Sequence, residues 1–217
     1  MDPRDPFPII NALMDGDFER ARRAITTGSH DLNRVDCEVH MTPLTAVAKS
    51  MRTIPPDAEL DALGVMTLLL DHNADPNLED AHASGWHETP LSASAVSGSI
   101  EMARLLLSRN ADVNAYTNGS TALICAATGS KATVAPMMAF LLQNNASVDA
   151  TSASGWTAIM SAAQHGETEV IRLLLSHGAS VEIEDPEGRT AASIALEAKH
   201  PMAYAILDPV GARCAHK

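Results

Sequence analysis

The residues with the chemistry to do most are few and scattered. Cys37 and His40 form a Cys-x-x-His pair just before Thr42, while His82 and His87 stand just before Thr89. One thiolate and three imidazoles are the ligand types that a tetrahedral zinc site gathers at about 2.0–2.3 Å. Cys37, His40, His82 and His87 are therefore the candidate metal ligands, and exposed loop histidines are the plainer reading of the same residues. Nucleophilic catalysis on a strained strand-to-helix turn would show as G-x-S-x-G, which does not occur. Ser130-Lys131 follows Gly129, but the glycine five residues earlier and the hydroxyl residue after the lysine of a phosphate loop are both missing. Glu79-Asp80 and Glu184-Asp185 pair carboxylates in what read as solvated loops, where nothing would raise a pKa for acid catalysis. The expectation is a chain with no catalytic residues, no cofactor and no metal.

Charge narrows the ligand classes. Fifteen Lys and Arg stand against 27 Asp and Glu, giving a net charge of -12. Affinity for nucleic acid comes mainly from counterion release by basic side chains, so a phosphate backbone is a poor partner for this chain. An anionic membrane surface is disfavoured on the same ground. The three cysteines, Cys37, Cys125 and Cys214, are odd in number and far apart, unlike a secreted disulfide scaffold. The amino terminus lacks the basic and apolar regions of a signal peptide, and no apolar run approaches the ~20 residues that span a bilayer. A soluble, cytoplasmic, monomeric protein is expected.

The elements that must position any site repeat along the chain. Thr89-Pro90-Leu91 returns as Thr42-Pro43-Leu44, Thr121-Ala122-Leu123, Thr157-Ala158-Ile159 and Thr190-Ala191-Ala192. Leu105-Leu106-Leu107 returns as Leu68-Leu69-Leu70, Phe140-Leu141-Leu142 and Leu173-Leu174-Leu175. A closing signal follows each time: Asn73-Ala74-Asp75, Asn110-Ala111-Asp112, Asn145-Ala146-Ser147 and Gly178-Ala179-Ser180. The anchoring threonines lie 47, 32, 36 and 33 residues apart. Three of these spacings are close to a 33-residue helix-turn-helix period. The long one needs insertions, placed at Arg52–Asp57 between two helices and at Ser84–Glu88 in a loop. Met102, Leu105 and Leu106 fall on one stripe of a 3.6-residue period. Ser99 and Thr168 read as N-caps. Asn73, Asn110, Asn145 and Gly178 read as left-handed helix ends.

On these motifs the chain resembles the ankyrin-repeat family, from about Phe7 to Leu207. The resemblance implies an all-α solenoid of about six helix-turn-helix units with finger-like hairpin loops. The expected organisation is one domain over 1–217: an amino-terminal cap at 1–36, repeats at 37–80, 81–117, 118–152 and 153–185, and a carboxy-terminal cap at 186–217. The histidine of the family's T-P-L-H motif is replaced throughout, by Thr45, Ser92, Ile124, Met160 and Ser193. Three of these supply a hydroxyl and two do not, so the array is expected to be less stable than an idealised one.

Such arrays bind other proteins, and the aromatics suggest where. Trp86, Tyr116 and Trp156 all fall in fingers although only 3% of the chain is aromatic. The resemblance implies that Trp156 points toward the concave face. Large aromatics are enriched at binding hot spots. The candidate partner-binding residues are Trp86, His87, Glu88, Tyr116 and Trp156, completed by Val96, Ser97, Gln164, His165 and Lys199 on the inner helices. Packing on the neighbouring finger is the competing role for the aromatics. From Thr53 to Thr151 there are eleven acids and three bases, which favours a partner with a basic surface. Occlusion of a partner enzyme's active site and a zinc-binding accessory role are the alternative functions. The resemblance further implies that Asn77 and Asn114 are of the type hydroxylated in eukaryotic hosts.

Overall fold

Short side-chain amides close the helix pairs. Asn73, Asn110 and Asn145 adopt left-handed backbone with φ of 64°, 66° and 66°, and Gly178 takes the same role at 84°. At each, the chain turns out of a helix and into a finger. The computed structural model describes residues 8–27, 31–35, 40–50, 58–80, 88–117, 119–129 and 131–208, with the side chain of Lys131 left aside. The insertion expected at Arg52–Asp57 and most of that at Ser84–Glu88 lie outside these residues.

Twelve helices form six pairs among the described residues: α1 (Pro8–Met14) with α2 (Phe18–Thr26), α3 (Pro43–Ser50) with α4 (Glu59–Asp71), α5 (Pro90–Ser97) with α6 (Ile100–Ser108), α7 (Ala122–Ala126) with α8 (Lys131–Gln143), α9 (Ala158–His165) with α10 (Thr168–Ser176), and α11 (Ala191–Glu197) with α12 (Pro201–Leu207). The chain divides at residues 118 and 119 into two compact units of three pairs each. In the first, α1 packs on α3 and α3 on α5, while α2 packs on α4 and α4 on α6. In the second, α7 packs on α9 and α9 on α11, while α8 packs on α10 and α10 on α12. First helices thus stack on first helices and second on second. A single short pair cannot bury its own apolar face, so the neighbour must cover it.

The buried positions follow the repeat. Leu44, Leu91, Leu123 and Ile159 occupy one register in the first helices, and Leu69, Leu106, Leu141 and Leu174 another in the second; all are buried. Alanines make the close approach possible: Ala48, Ala95 and Ala163 are buried where first helices meet.

In four of the pairs a threonine starts the first helix by accepting a backbone N–H three residues on. Thr42, Thr89, Thr157 and Thr190 do so from Thr45, Ser92, Met160 and Ser193. The residues that stand in for the motif histidine bond within their own turn. The Ser92 and Ser193 hydroxyls each donate to the threonine carbonyl at 2.9 Å, and the Met160 sulfur accepts the Thr157 N–H at 3.5 Å. Ile124 has nothing to offer, and Thr121 Oγ1 is buried without a hydrogen-bond partner. A buried hydroxyl left unpaired destabilises by about 1–3 kcal/mol. Thr121→Val is therefore expected to raise stability by about 1 kcal/mol, whereas Thr157→Val should lower it by about 1 kcal/mol. Urea unfolding of the two variants would show opposite shifts; equal losses would disprove the reading.

Asparagine side chains stitch successive pairs together. Asn33 accepts the Asp75 N–H at 2.7 Å and donates to the Asn73 carbonyl at 3.4 Å. Asn77 repeats the pattern on Asp112 N at 2.7 Å and the Asn110 carbonyl at 3.0 Å. At the corresponding place in the second unit, Asp149 accepts the Ser180 N–H at 2.9 Å but, as a carboxylate, has no amide to donate.

Ser99 caps α6 as its sequence predicts. The second cap is displaced: Thr168 is the first residue of α10, and Glu167 precedes it with no side-chain cap.

Candidate functional site

Three fingers are closed at the root by a bridge between two residues. The Ser152 N–H donates to the Trp156 carbonyl at 2.7 Å, and the Trp156 N–H donates to Ser152 Oγ at 3.0 Å. Asp185 and Arg189 do the same four residues apart, the Arg189 N–H donating to the Asp185 carboxylate at 2.8 Å. Asp80 and Glu88 make the equivalent bridge eight residues apart, the Glu88 N–H donating to Asp80 at 2.7 Å. The finger that carries Trp86 is thus four residues longer at its root than the other two.

These bridges correct the reading of the carboxylate pairs. Glu79 and Glu184 are exposed, but Asp80 and Asp185 are buried. Their oxygens hold backbone N–H groups of the turn, so they are structural acceptors. Each also takes a cation. Arg189 reaches Asp185 with Nε at 2.8 Å and Nη2 at 2.7 Å. Lys49, from α3, places Nζ 3.0 Å from Asp80 and 2.9 Å from Glu88. Burial pulls the Lys49 ammonium down, but its hydrogen bond to Glu88 and the charges of Asp80 and Glu88 outweigh that and hold it above its ordinary value.

Burial likewise pushes the Asp185 carboxyl up. Hydrogen bonds from the Arg189 side chain and backbone, the Arg189 charge and the Glu187 N–H prevail, so it sits below its ordinary value. A carboxyl lowered on folding stabilises the fold above its unfolded pKa of about 3.9, and that contribution fades as pH falls through the folded value. The urea midpoint of the wild type should therefore fall on acidification below about pH 4 more steeply than that of Asp185→Asn. Parallel acid limbs would refute this role.

The expected binding residues fall into two groups. In the first unit Tyr116 stands 55% exposed in its finger. Val96 and Ser97 are half-buried at the end of α5, with the Ser97 hydroxyl donating to the Ser94 carbonyl. Glu88 is held by Lys49 at the finger root, while Trp86 and His87 lie outside the described residues. In the second unit Gln164 and His165 are exposed at the end of α9, with His165 Nδ1 2.9 Å from the Ser161 carbonyl. Trp156 is half-buried, and the Arg189 guanidinium lies over its ring, 5.7 Å from the centroid. Lys49 and Arg189 escaped the sequence reading. A residue of hydrogen-bonding type five positions before the threonine, as at Ser152 and Asp185, was the available signal. Of the four candidate metal ligands only His40 is described, half-buried with φ of 55°. Among the described residues no group of three or more His, Cys, Asp or Glu could hold a metal ion. No described helix is long and apolar enough to cross a membrane.

Paired helices in register, left-handed Asn or Gly closures and bridged fingers define an all-α repeat protein. The family described as ankyrin repeats (3 copies) matches residues 58–151 and 132–217. The chain belongs to the ankyrin-repeat family. It is 35% identical over 127 residues to ankyrin repeat and SAM domain-containing protein 6 of Rattus norvegicus, a match covering 58% of this chain and 10% of that protein. It is 44% identical over 73 residues to zinc finger CCCH domain-containing protein 24 of Oryza sativa subsp. japonica, covering 32% of this chain and again 10% of that protein. The chain thus spans only a small part of these curated relatives. The fold is shared with a chain in a complex of a predatory endopeptidase from Bdellovibrio bacteriovorus with an immunity protein, at TM-score 0.75 and 24% identity over 94% of this chain and 97% of that one. An ankyrin-repeat protein in a crystal structure matches at TM-score 0.75 and 22% identity over 94% and 97%. Ankyrin repeats are generally protein–protein interaction modules.

Proposed function

We propose that this chain is a non-catalytic binding module that holds a partner protein with a basic surface through its concave face and finger tips. Trp86, His87, Glu88, Val96, Ser97 and Tyr116 are the contributing residues of the first unit, and Trp156, Gln164 and His165 those of the second. The observation that carries the reading is Tyr116, a large aromatic left 55% exposed on a finger. Aromatic side chains with few rotatable bonds bury much area at small entropic cost, which is why they anchor interfaces. Trp156 supports it in a second way: Arg189 fixes the ring before any partner arrives. The acidic middle of the chain favours fast association with a basic surface, weakening as salt is added. No metal or cofactor belongs to this reading. Its setting is the cytoplasm, supported by the odd number and wide spacing of Cys37, Cys125 and Cys214.

Affinity capture from native lysate, followed by titration of the captured protein, tests it. Trp156→Ala and Tyr116→Ala are expected to weaken binding by about 2 kcal/mol each, roughly 30-fold, with unchanged circular dichroism. Unaltered affinity in both variants would remove the fingers from the interface.

A second reading, in which the module occludes the active site of an enzyme, is favoured by one observation. A chain of the same fold occurs in a complex of an endopeptidase with an immunity protein. Loss of the captured protein's activity on saturation would distinguish inhibition from simple attachment.

A further inference from the structure

Counted back from its leucine run, α4 begins one turn earlier than α6 and α10. Ile100 opens α6 five residues before Leu105 and Thr168 opens α10 five before Leu173, whereas Glu59 opens α4 nine before Leu68. Helices α6 and α10 close their pairs without the added turn. In α8, which also starts nine residues before its run, the turn reads Lys131-Ala132-Thr133. In α4 it reads Glu59-Leu60-Asp61, and Leu60 is 79% exposed, the most of any large apolar side chain among the described residues. At about 100° per residue, Leu60 and Thr67 fall within about 20° of each other, with Leu63 about 60° to one side. Ala62, Val65, Met66, Leu69 and Leu70 take the opposite face and are buried. The equivalents of Gly64 and Thr67 are Glu101 and Arg104 in α6, and Glu169 and Arg172 in α10. The outer face of α4 thus carries an uncharged stripe where α6 and α10 carry charges.

The added turn is braced from both sides. Ser99, at the start of α6, donates its hydroxyl to the Glu59 carboxylate at 3.4 Å. From α2, Arg22 Nη2 reaches the Asp61 carboxylate at 3.3 Å and the Asp61 carbonyl at 3.4 Å. Gly64 makes room for that reach, since a Cβ there would stand 2.5 Å from Arg22 Nη2. Leu60 is therefore held out between two fixed neighbours, and a preordered contact loses little entropy on binding. Around it stand Glu19, Asp61 and Glu101, with side chains 69%, 57% and 60% exposed, and the nearby Arg22 and Arg104 are already paired with them. The local surplus is acidic, as it is for residues 1–118, which hold eighteen Asp and Glu against nine Lys and Arg. A second copy would bring the same surplus and an anionic membrane would add to it, so this face calls for a cationic occupant. The stripe from Leu60 to Thr67 is about 10 Å long, which matches two turns of a helix that presents apolar residues at i, i+3 or i+4, and i+7.

We propose that the first two turns of α4 dock an amphipathic, Lys- or Arg-rich helix of a partner protein, its apolar stripe on Leu60, Leu63 and Thr67 and its cations on Glu19, Asp61 and Glu101. The site lies at the opposite end of α4 from its finger, about 18 Å along the axis, and does not rest on the finger-tip reading. Methyl NMR titration of the full chain with a synthetic amphipathic helix of leucine and lysine tests it. The Leu60 and Leu63 methyl signals should shift and saturate, and Leu60→Gln should weaken binding about 10-fold. Glu19→Gln and Glu101→Gln should each weaken it about 3-fold and flatten its salt dependence. Leu196→Gln, which alters an apolar side chain 60% exposed in the other unit, should leave the affinity unchanged. The same peptide with glutamate in place of lysine should not bind. Circular dichroism verifies that each variant folds. Equal affinity in Leu60→Gln overturns the inference, as do shifts scattered over the acidic surface that spare Leu60. Leu60 shifts on concentrating the protein alone would make a second copy the occupant, and contacts from Leu60 to residues 51–57 in the free protein would make the chain's own connector the occupant. Either result also overturns it.

Discussion

Leu174→Ala is expected to lower stability by about 3 kcal/mol, and Leu69→Ala by a similar amount. Both leucines are fully buried at the same register of a second helix, one in each compact unit. Removing three methylene-scale groups from such a place loses their transfer energy and leaves a cavity between α8, α10 and α12, or between α2, α4 and α6. The pair of variants does more than test packing. If the array folds as one cooperative domain, as its repeats lead one to expect, either substitution moves a single unfolding transition. Nearest-neighbour coupling is what sustains such behaviour in repeat proteins. If each substitution moves a transition of its own half only, the one-domain organisation fails. Urea unfolding followed by circular dichroism, with tryptophan fluorescence in a Trp86→Phe background as a probe of the second half, would decide.

Lys49→Met is the second large expectation. It removes the Lys49 ammonium from Asp80, 1% exposed, at the root of the finger that carries Trp86. Breaking a fully buried ion pair from one side costs about 3–5 kcal/mol. The Lys49 side chain retains 34% of its exposure, so solvent screens part of the interaction and about 2 kcal/mol is expected. The Asp80 carboxylate would still accept the Glu88 N–H, which is why the loss is not larger. Lys49→Arg should recover most of the stability, and Asp80→Asn in the Lys49→Met background should recover part of it, as a double-mutant cycle would show. A loss below about 0.5 kcal/mol for Lys49→Met would mean that the ion pair is ornamental.

The parts of the fold that were legible in sequence are those set by local chemistry. A threonine before an apolar stripe, and an Asn or Gly after a leucine run, act within one turn of helix, so Thr89, Asn110 and Gly178 announce their elements directly. The burial of Asp80 and Asp185 was not legible for the opposite reason. Glu79-Asp80 and Glu184-Asp185 look alike in composition, and only the bridge across the finger root decides which carboxylate turns inward. Lys49 acts on a residue 31 positions away, beyond the reach of any local pattern. The stacking of Arg189 on Trp156 likewise depends on two fingers lying side by side. Of the candidate site, Tyr116, Gln164 and His165 are exposed, whereas Glu88 is tied into the framework by Lys49.

The asparagine rungs have a mechanical consequence. Asn33 and Asn77 each grip the next finger at two points, a carbonyl and an N–H, whereas Asp149 grips at one. Under tension the joint at Asp149, inside the second unit, should therefore give way at a lower load than the joints at Asn33 and Asn77 inside the first. A carboxamide at position 149 would bring its tear strength up to theirs.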